Sequence, residues 1–276
     1  MNRAKVNFLP LKMMHDLWKH RDLIRELIKR ELNQRYRGSY LGLAWSVVNP
    51  LVMLLVYTFV FSLFLKVRWQ AAGEQTPTQE FALIIFAGLI PFTIFSEVLN
   101  KSTTLIVSVP NYVKKVVFPL EVYPIVLLGA AFLTSLISVV LVVIGNLVLM
   151  RAISKTIYLL PLAYLPLIFL SLGLGWFFSS LGVYVRDIAQ GMPVAIQILL
   201  FMSTIFYPAS AVPQSIKFLF DLNPLTTIVE SFRQVLLWGN PIPWARWGFW
   251  TGLTAILAIV GYYWFMSTKK GFADIL

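Results

Sequence analysis

The chain contains no cysteine, which excludes a disulfide framework, a thiolate nucleophile and a Cys-ligated metal. It has only two histidines, His15 and His20; they stand five apart with no third ligand beside them, so no metal site is expected. No GxxxxGK[ST] phosphate loop occurs, so the chain is not expected to hydrolyse ATP by itself. Charge is scarce, at 13% Asp, Glu, Lys and Arg against roughly 25% in a soluble domain. Carboxylates or histidines paired inside apolar segments, which a membrane-embedded transferase would need, are missing. The first 40 residues hold no uninterrupted apolar stretch, so no signal peptide is expected and the chain would insert through its own spans.

Apolar blocks are what the sequence does have. Hydrophobic residues make up 58% of 276, gathered in runs long enough to cross a bilayer. Six spans are predicted, at about 41–65, 81–108, 122–150, 157–182, 188–207 and 247–267. The net charge is +11, and ten of the 23 Lys and Arg lie in the first 37 residues. That position argues against a nucleic-acid surface and for a cytoplasmic N-terminus beside anionic lipid. Six crossings return the C-terminus to the same side, where Lys269 and Lys270 serve as anchors. The expected architecture is an all-α integral membrane protein. Residues 1–40 form a tail and amphipathic helix, and residues 41–276 form the transmembrane domain.

Three segments depart from plain spans. Between residues 11 and 36 apolar side chains repeat at helical spacing with Lys, Arg and Glu opposite, which predicts a helix lying in the membrane interface or on a soluble partner. Residues 208–245 hold two short apolar pieces, about 213–221 and 224–238, parted by Asn223-Pro224. A single span there would bury Asp221, Glu230 and Arg233, at about 2.5–3.5 kcal/mol per central charge. A pair of short re-entrant helices avoids that cost, with Glu230 and Arg233 placed to pair; a surface loop with one amphipathic helix is the alternative. The loop SVPNYVKKVVFPLEVYP (108–124) sets a short basic segment between prolines. It suits either force transmission from a partner or simple anchoring.

Glu97 is the one clearly intramembrane carboxylate, in FSEVLNKSTT (95–104). Such a group is pore-facing, a buried hydrogen-bond partner or a proton relay. Nine Trp and eleven Tyr sit mainly near span ends, as an interfacial belt does; some would equally stack on sugar rings in a passage.

Five stretches together resemble the permease subunit of type-2 ABC transporters that export polysaccharides, the O-antigen, capsule and teichoic acid exporters. They are RYRGSYLGLAWSVVNP (35–50), NYVKKVVFPLEVYP (111–124), YVRDI (184–188), FYPASAVP (206–213) and LNPLTTIVESFRQVLLWG (222–239). The resemblance implies a homodimer around a central passage in the bacterial inner membrane. It implies two copies of a separate ATPase subunit that bind ATP and Mg, with no cofactor in this chain. On the same grounds Asn111, Lys114, Lys115, Arg186 and Asp187 would meet that ATPase. Pro208, Pro213, Asn223, Pro224, Glu230 and Arg233 would belong to an outer gate.

The implied substrate is a glycan on a polyprenyl diphosphate lipid. Arg35 and Arg37 stand at the depth of its anionic head group, and arginine's planar fork suits phosphate oxygens. Gly38 and Gly42 permit close approach, and Tyr40 and Trp45 provide shelves for a sugar. Anchoring of both arginines to bulk anionic lipid is the plainer alternative. Export of another amphiphile, a drug or a lipid, is the second functional reading, and a secondary carrier the third.

Overall fold

The structure, a computed structural model, describes residues 10–35, 40, 42–57, 59–60, 70–71, 74–75, 78–115, 118–150 and 153–276. Arg37 and Gly38 lie outside the described residues. The elements are α1 (Pro10–Lys19), α2 (Arg21–Arg35), α3 (Trp45–Tyr57), α4 (Thr78–Leu105), α5 (Pro110–Lys115), α6 (Tyr123–Met150), α7 (Leu160–Tyr184), α8 (Ile188–Phe201), α9 (Lys217–Asp221), α10 (Pro224–Arg233), α11 (Trp244–Thr268) and α12 (Phe272–Ile275). Among the described residues the only strands are β1 (Gln70–Ala71) and β2 (Glu74–Gln75), one antiparallel pair.

Among the described residues, four apolar helical stretches have crossing length: Glu80–Leu105, Leu120–Leu149, Ile157–Tyr184 and Trp244–Ile275. The shortest has 26 residues, about 39 Å of helix against a hydrocarbon core of about 30 Å. The two other predicted spans, 41–65 and 188–207, appear as the shorter apolar helices Trp45–Val56 and Ile188–Phe201. Residues 41, 58 and 61–65 of the first fall outside the described residues. The second stops early because a distant residue takes over its last carbonyls. Beyond Phe201 the backbone turns, Thr204 takes a left-handed φ of 50°, and the carbonyls of Thr204 and Ile205 face Arg233 instead of a continuing helix.

α4 is the central helix. Every residue from Phe81 to Phe92 is buried, as its all-round apolar sequence requires, and α3, α6, α7, α8 and α10 all pack on it. Outer helices keep apolar stripes exposed, such as Leu133, Leu136, Val140, Ile144 and Leu147 on α6 and Phe249, Leu253, Ile256 and Val260 on α11. Spacings of three and four along each stripe put it on one helix face, the face a bilayer would wet.

Small residues let backbones touch. A Cβ on Gly261 of α11 would stand 2.1 Å from the carbonyl oxygen of Gly173 on α7. One on Gly182 would stand 1.9 Å from that of Thr103 on α4. Helix association in lipid relies on such close packing because apolar surface gains nothing by leaving lipid tails.

The bundle has two distinct ends. At the tail end α4 finishes, α6 begins, and α7 and α11 finish; Ile106, Leu120, Trp176, Val183, Phe265 and Phe272 form a cluster there, with Met13 and Leu17 of α1 packed against it. Lys269 Nζ lies 2.6 Å from buried Glu121 Oε2, and Trp176 Nε1 donates to the Glu121 carbonyl at 2.9 Å. The hairpin end holds the turn after α6, the start of α7 and residues 202–247.

The predicted single helix over 11–36 is broken at His20. The break lets α1 apply Met13 and Leu17 to the tail-end cluster while α2 sets Ile28 on Gly129 of α6. α2 therefore does more than rest at an interface: its last turn reaches Glu97, eight residues inside α4, about 12 Å from that helix end.

Gly182→Ala is expected to destabilise the purified protein by about 1–3 kcal/mol, the range for overpacking, since the new methyl meets fixed backbone. Gly191→Ala in α8, where a Cβ meets nothing within 4 Å, should change stability by no more than about 0.5 kcal/mol in the unfavourable direction. Thermal unfolding of both in one detergent checks the contrast.

Candidate functional site

α2, α3, α4 and α6 line an open cavity of about 410 Å³, within the range of small-ligand sites. Trp45, Ser46, Asn49 and Met53 come from α3, Leu89, Ile90, Thr93 and Glu97 from α4, and Thr134, Ser135 and Ser138 from α6, with Arg35 at the end of α2. Three residues singled out in the sequence for two different roles, Arg35, Trp45 and Glu97, thus line one cavity. The α6 hydroxyls recur at i, i+1 and i+4 and so face one side. Ser135 also shares a hydrogen bond with the Tyr164 hydroxyl of α7, at 3.2 Å.

The cavity carries its charge at one end. Arg35 grips Glu97 with both terminal nitrogens: Nη2 contacts Oε1, and Nη1 donates to Oε2 at 3.2 Å and to Thr134 Oγ1 at 3.3 Å. Lys101 Nζ lies 3.1 Å from Glu97 Oε1 and 2.8 Å from Glu31 Oε1. Glu31 also stands 3.9 Å from Arg35 Nε. Two cations and two anions from α2 and α4 therefore form a closed neutral network. Arg35 is 14% exposed and Glu97 30%, so its contacts are screened less than surface pairs. A planar guanidinium accepts such a two-point grip, which fixes orientation as well as distance.

Lys101, Glu31 and the hydroxyl lining were not singled out in the sequence. Their signal was local: Glu31 with Arg35, and Glu97 with Lys101, are i, i+4 pairs. Only packing joins the two pairs. Tyr40 is fully exposed and stands off the cavity, and Gly42 takes a left-handed φ of 49° in the turn before α3, a conformation that favours glycine.

The family model for the ABC-2 type transporter matches residues 22–237. The chain belongs to this family. An O-antigen export system permease protein RfbA of Klebsiella pneumoniae is 27% identical over 274 residues, covering 97% of this chain and all of that one. The RfbA protein of Myxococcus xanthus is 24% identical over 227 residues, 82% of this chain and 84% of its own. The polysialic acid transport protein KpsM of Escherichia coli is 27% identical over 223 residues, 78% and 81% of the two chains. As an ABC-2 membrane chain related to permeases, the protein is a transport component.

In this ABC-2 chain the tail end gathers the residues expected to meet a partner. Asn111 and Lys114 on α5 and Arg186 and Asp187 in the turn between α7 and α8 are all exposed. Lys115 closes α5. Behind them Tyr112, Phe118 and Tyr123 stack together, and α12 packs on α5. Phe272 meets Tyr184, whose hydroxyl donates to the Thr268 carbonyl at 3.0 Å.

The residues assigned to an outer gate lie at the hairpin end. Pro208 precedes a short turn, Ala209–Ala211, and exposed Pro213 leads towards α9. Asn223 caps α10, its Oδ1 accepting from the Leu225 N–H at 3.0 Å, while Nδ2 donates to the Met202 carbonyl at 2.9 Å; Pro224 takes the first helical position, where its missing N–H costs nothing. Glu230 accepts from Gln234 Nε2 at 2.9 Å and stands 3.9 Å from Arg233.

Arg233 is the anchor of this end, at 0% exposure. It donates to the carbonyls of Ile84 at 3.1 Å, Thr204 at 2.9 Å and Ile205 at 2.6 Å, tying α10 to α4 and to the turn after α8. Burial lowers its pKa to about 10 and Glu230 opposes that shift, so the group is cationic at neutral pH. After it the helix widens into a π turn, Gln234–Trp238. The carbonyls of Val235 and Leu236 there accept from Ser154 and Asn146, and Gly239 ends the turn in the left-handed region.

Arg233→Met should leave the carbonyls of Thr204 and Ile205 unpaired, at about 1–3 kcal/mol each, while that of Ile84 keeps its bond within α4. A large loss of folded protein is expected by size-exclusion recovery and thermal unfolding, with Arg233→Lys intermediate because one ammonium cannot reproduce the fork.

Proposed function

We propose that this chain is the membrane half of an ATP-driven exporter of a lipid-linked polysaccharide, working as a homodimer with two copies of a separate ATPase in the bacterial inner membrane. The observation that carries this reading is full-length similarity to O-antigen export permeases, joined to a membrane-depth cavity that ends in an arginine. α3 and α8 complete six crossings. In support, α8 leaves the Arg186–Asp187 turn at the tail end and its following turn reaches Arg233 at the other. The N- and C-termini are cytoplasmic, with α1 and α12 both at the tail end. α9 and α10 form a re-entrant hairpin on the outer side.

In this reading Arg35, with Arg37 and Gly38 beyond it, receives the diphosphate head group where α2 enters the bundle, while Trp45 offers a sugar a flat apolar face. Glu97 belongs to the same site, not to a separate pore feature. ATP closure of the partner subunits pushes on α5 and on the Arg186–Asp187 turn. The aromatic stack of Tyr112, Phe118 and Tyr123 passes that displacement to the start of α6. The partner ATPase supplies ATP and Mg, and all hydrolysis occurs there.

Two measurements test this. Deleting the chain from its host should leave the lipid-linked glycan on the cytoplasmic leaflet, read by its inaccessibility to periplasmic glycan-processing enzymes. Unchanged surface glycan would overturn the reading. Reversing Lys114 and Arg186 together to Glu should abolish co-purification of the ATPase, with monodisperse membrane protein remaining; full co-purification would remove these residues from the contact.

A further inference from the structure

Glu97 occupies an unusual position. Its Oε1 is contacted by two cations from different helices, Arg35 of α2 and Lys101 of α4 at 3.1 Å. Its Oε2 takes a further hydrogen bond from Arg35, at 3.2 Å. An oxygen anion held between a guanidinium fork and an ammonium is the arrangement a phosphate group receives from such residues. Glu31 holds Lys101 in place at 2.8 Å, and Thr134 adds a hydroxyl to Arg35 at 3.3 Å. The space beside this group is the cavity itself, with Met53, Leu89 and Ile90 as apolar walls.

We infer that Arg35 and Lys101 form a two-cation seat for a phosphate-ester head group and that the Glu97 carboxylate is its internal stand-in, displaced when the head group binds. This rests on the head-group reading above and adds two specificity-determining residues to it, Lys101 and Glu97. The stand-in solves a physical problem. With Glu31 as their only counter-ion the two cations would leave a net positive charge at this depth, which is expensive, so Glu97 keeps the empty site neutral. Selectivity follows, because a ligand must outbid a carboxylate already gripped at both oxygens. A neutral lipid cannot, whereas a phosphate ester brings more acceptor oxygens and a diphosphate more charge as well. Displacement breaks one of the two ion-pair links between α2 and α4, Arg35–Glu97, and leaves the other, Lys101–Glu31, in place.

The test uses the full chain, with its co-purifying partner, in phosphatidylcholine nanodiscs. Farnesyl diphosphate, inorganic diphosphate, phosphatidylglycerol and farnesol are titrated against the wild type, Glu97→Gln, Glu97→Asp and Lys101→Met. Loss of one charge-assisted contact corresponds to about tenfold in affinity. Glu97→Gln should therefore bind farnesyl diphosphate about tenfold more tightly than wild type, and Lys101→Met about tenfold less tightly, with farnesol indifferent to both. The same order with inorganic diphosphate assigns recognition to the head group alone, and with phosphatidylglycerol it assigns the seat to phospholipid as well; both support the seat. If Glu97→Gln fails to fold, Glu97→Asp, one methylene shorter and less able to reach Arg35, should still bind more tightly.

A folded Glu97→Gln or Glu97→Asp that binds no better than wild type would overturn the inference, because a purely structural ion pair gives weakening or no change. Glycan export by the wild type is followed in parallel. Export without the affinity order removes only this inference. The affinity order without export removes the exporter reading and leaves the seat.

Discussion

A charge in apolar surroundings must find its partners within the chain, because neither lipid nor core supplies them. Arg233 shows how far this requirement shapes the molecule. Its three carbonyl contacts lie on α4 and in the turn after α8, so one side chain fixes where α8 stops and where α10 sits against the central helix. The same need for satisfied backbone recurs just beyond it, where the π turn releases carbonyls to Ser154 and Asn146. The hairpin end is held mainly by polar groups turned inwards.

The opposite half of the molecule obeys the same constraint differently. Arg35, Lys101, Glu31 and Glu97 cancel one another, and their network joins an N-terminal amphipathic helix to the central span. Arg233 is sealed on all sides, whereas Arg35 and Glu97 border a cavity. That difference separates a fixed anchor from a site in which charges can change partners. A mutually neutral network near a cavity is inexpensive to keep and responsive to a competing anion, which suits a transport component better than a rigid bond would.

At the tail end, exposed and buried residues divide the work. Asn111, Lys114, Arg186 and Asp187 face outwards, while Glu121, Trp176, Phe265 and Phe272 lock the ends of α6, α7, α11 and the C-terminal segment into one unit. A displacement applied to α5 or to the Arg186–Asp187 turn would meet this unit before it met anything flexible. The close glycine contacts of α7 with α4 and α11 continue that stiffness into the bundle.

Composition and hydrophobic run length alone determined the all-helical, membrane-type character, and linear motifs pointed to the family, because each depends on local residue type or order; run length gave six spans, of which four are helices of crossing length among the described residues. Asn223-Pro224 likewise announced the start of α10, since a cap and a first-turn proline act within one helical turn. Whether α8 runs on to residue 207 was not legible, because its end depends on carbonyls turned towards Arg233, some 30 residues later. The sequence set Arg35 at a lipid head group and left Glu97, as a separate feature, pore-facing, a buried hydrogen-bond partner or a proton relay. The tertiary structure put them in contact across 62 residues and added Lys101 and Glu31, whose i, i+4 spacings say which residues share a helix face and nothing about which helix that face meets. Partner choice between helices is decided by packing of whole faces, as where Ile28 settles on Gly129, and that information is in no single segment of the chain.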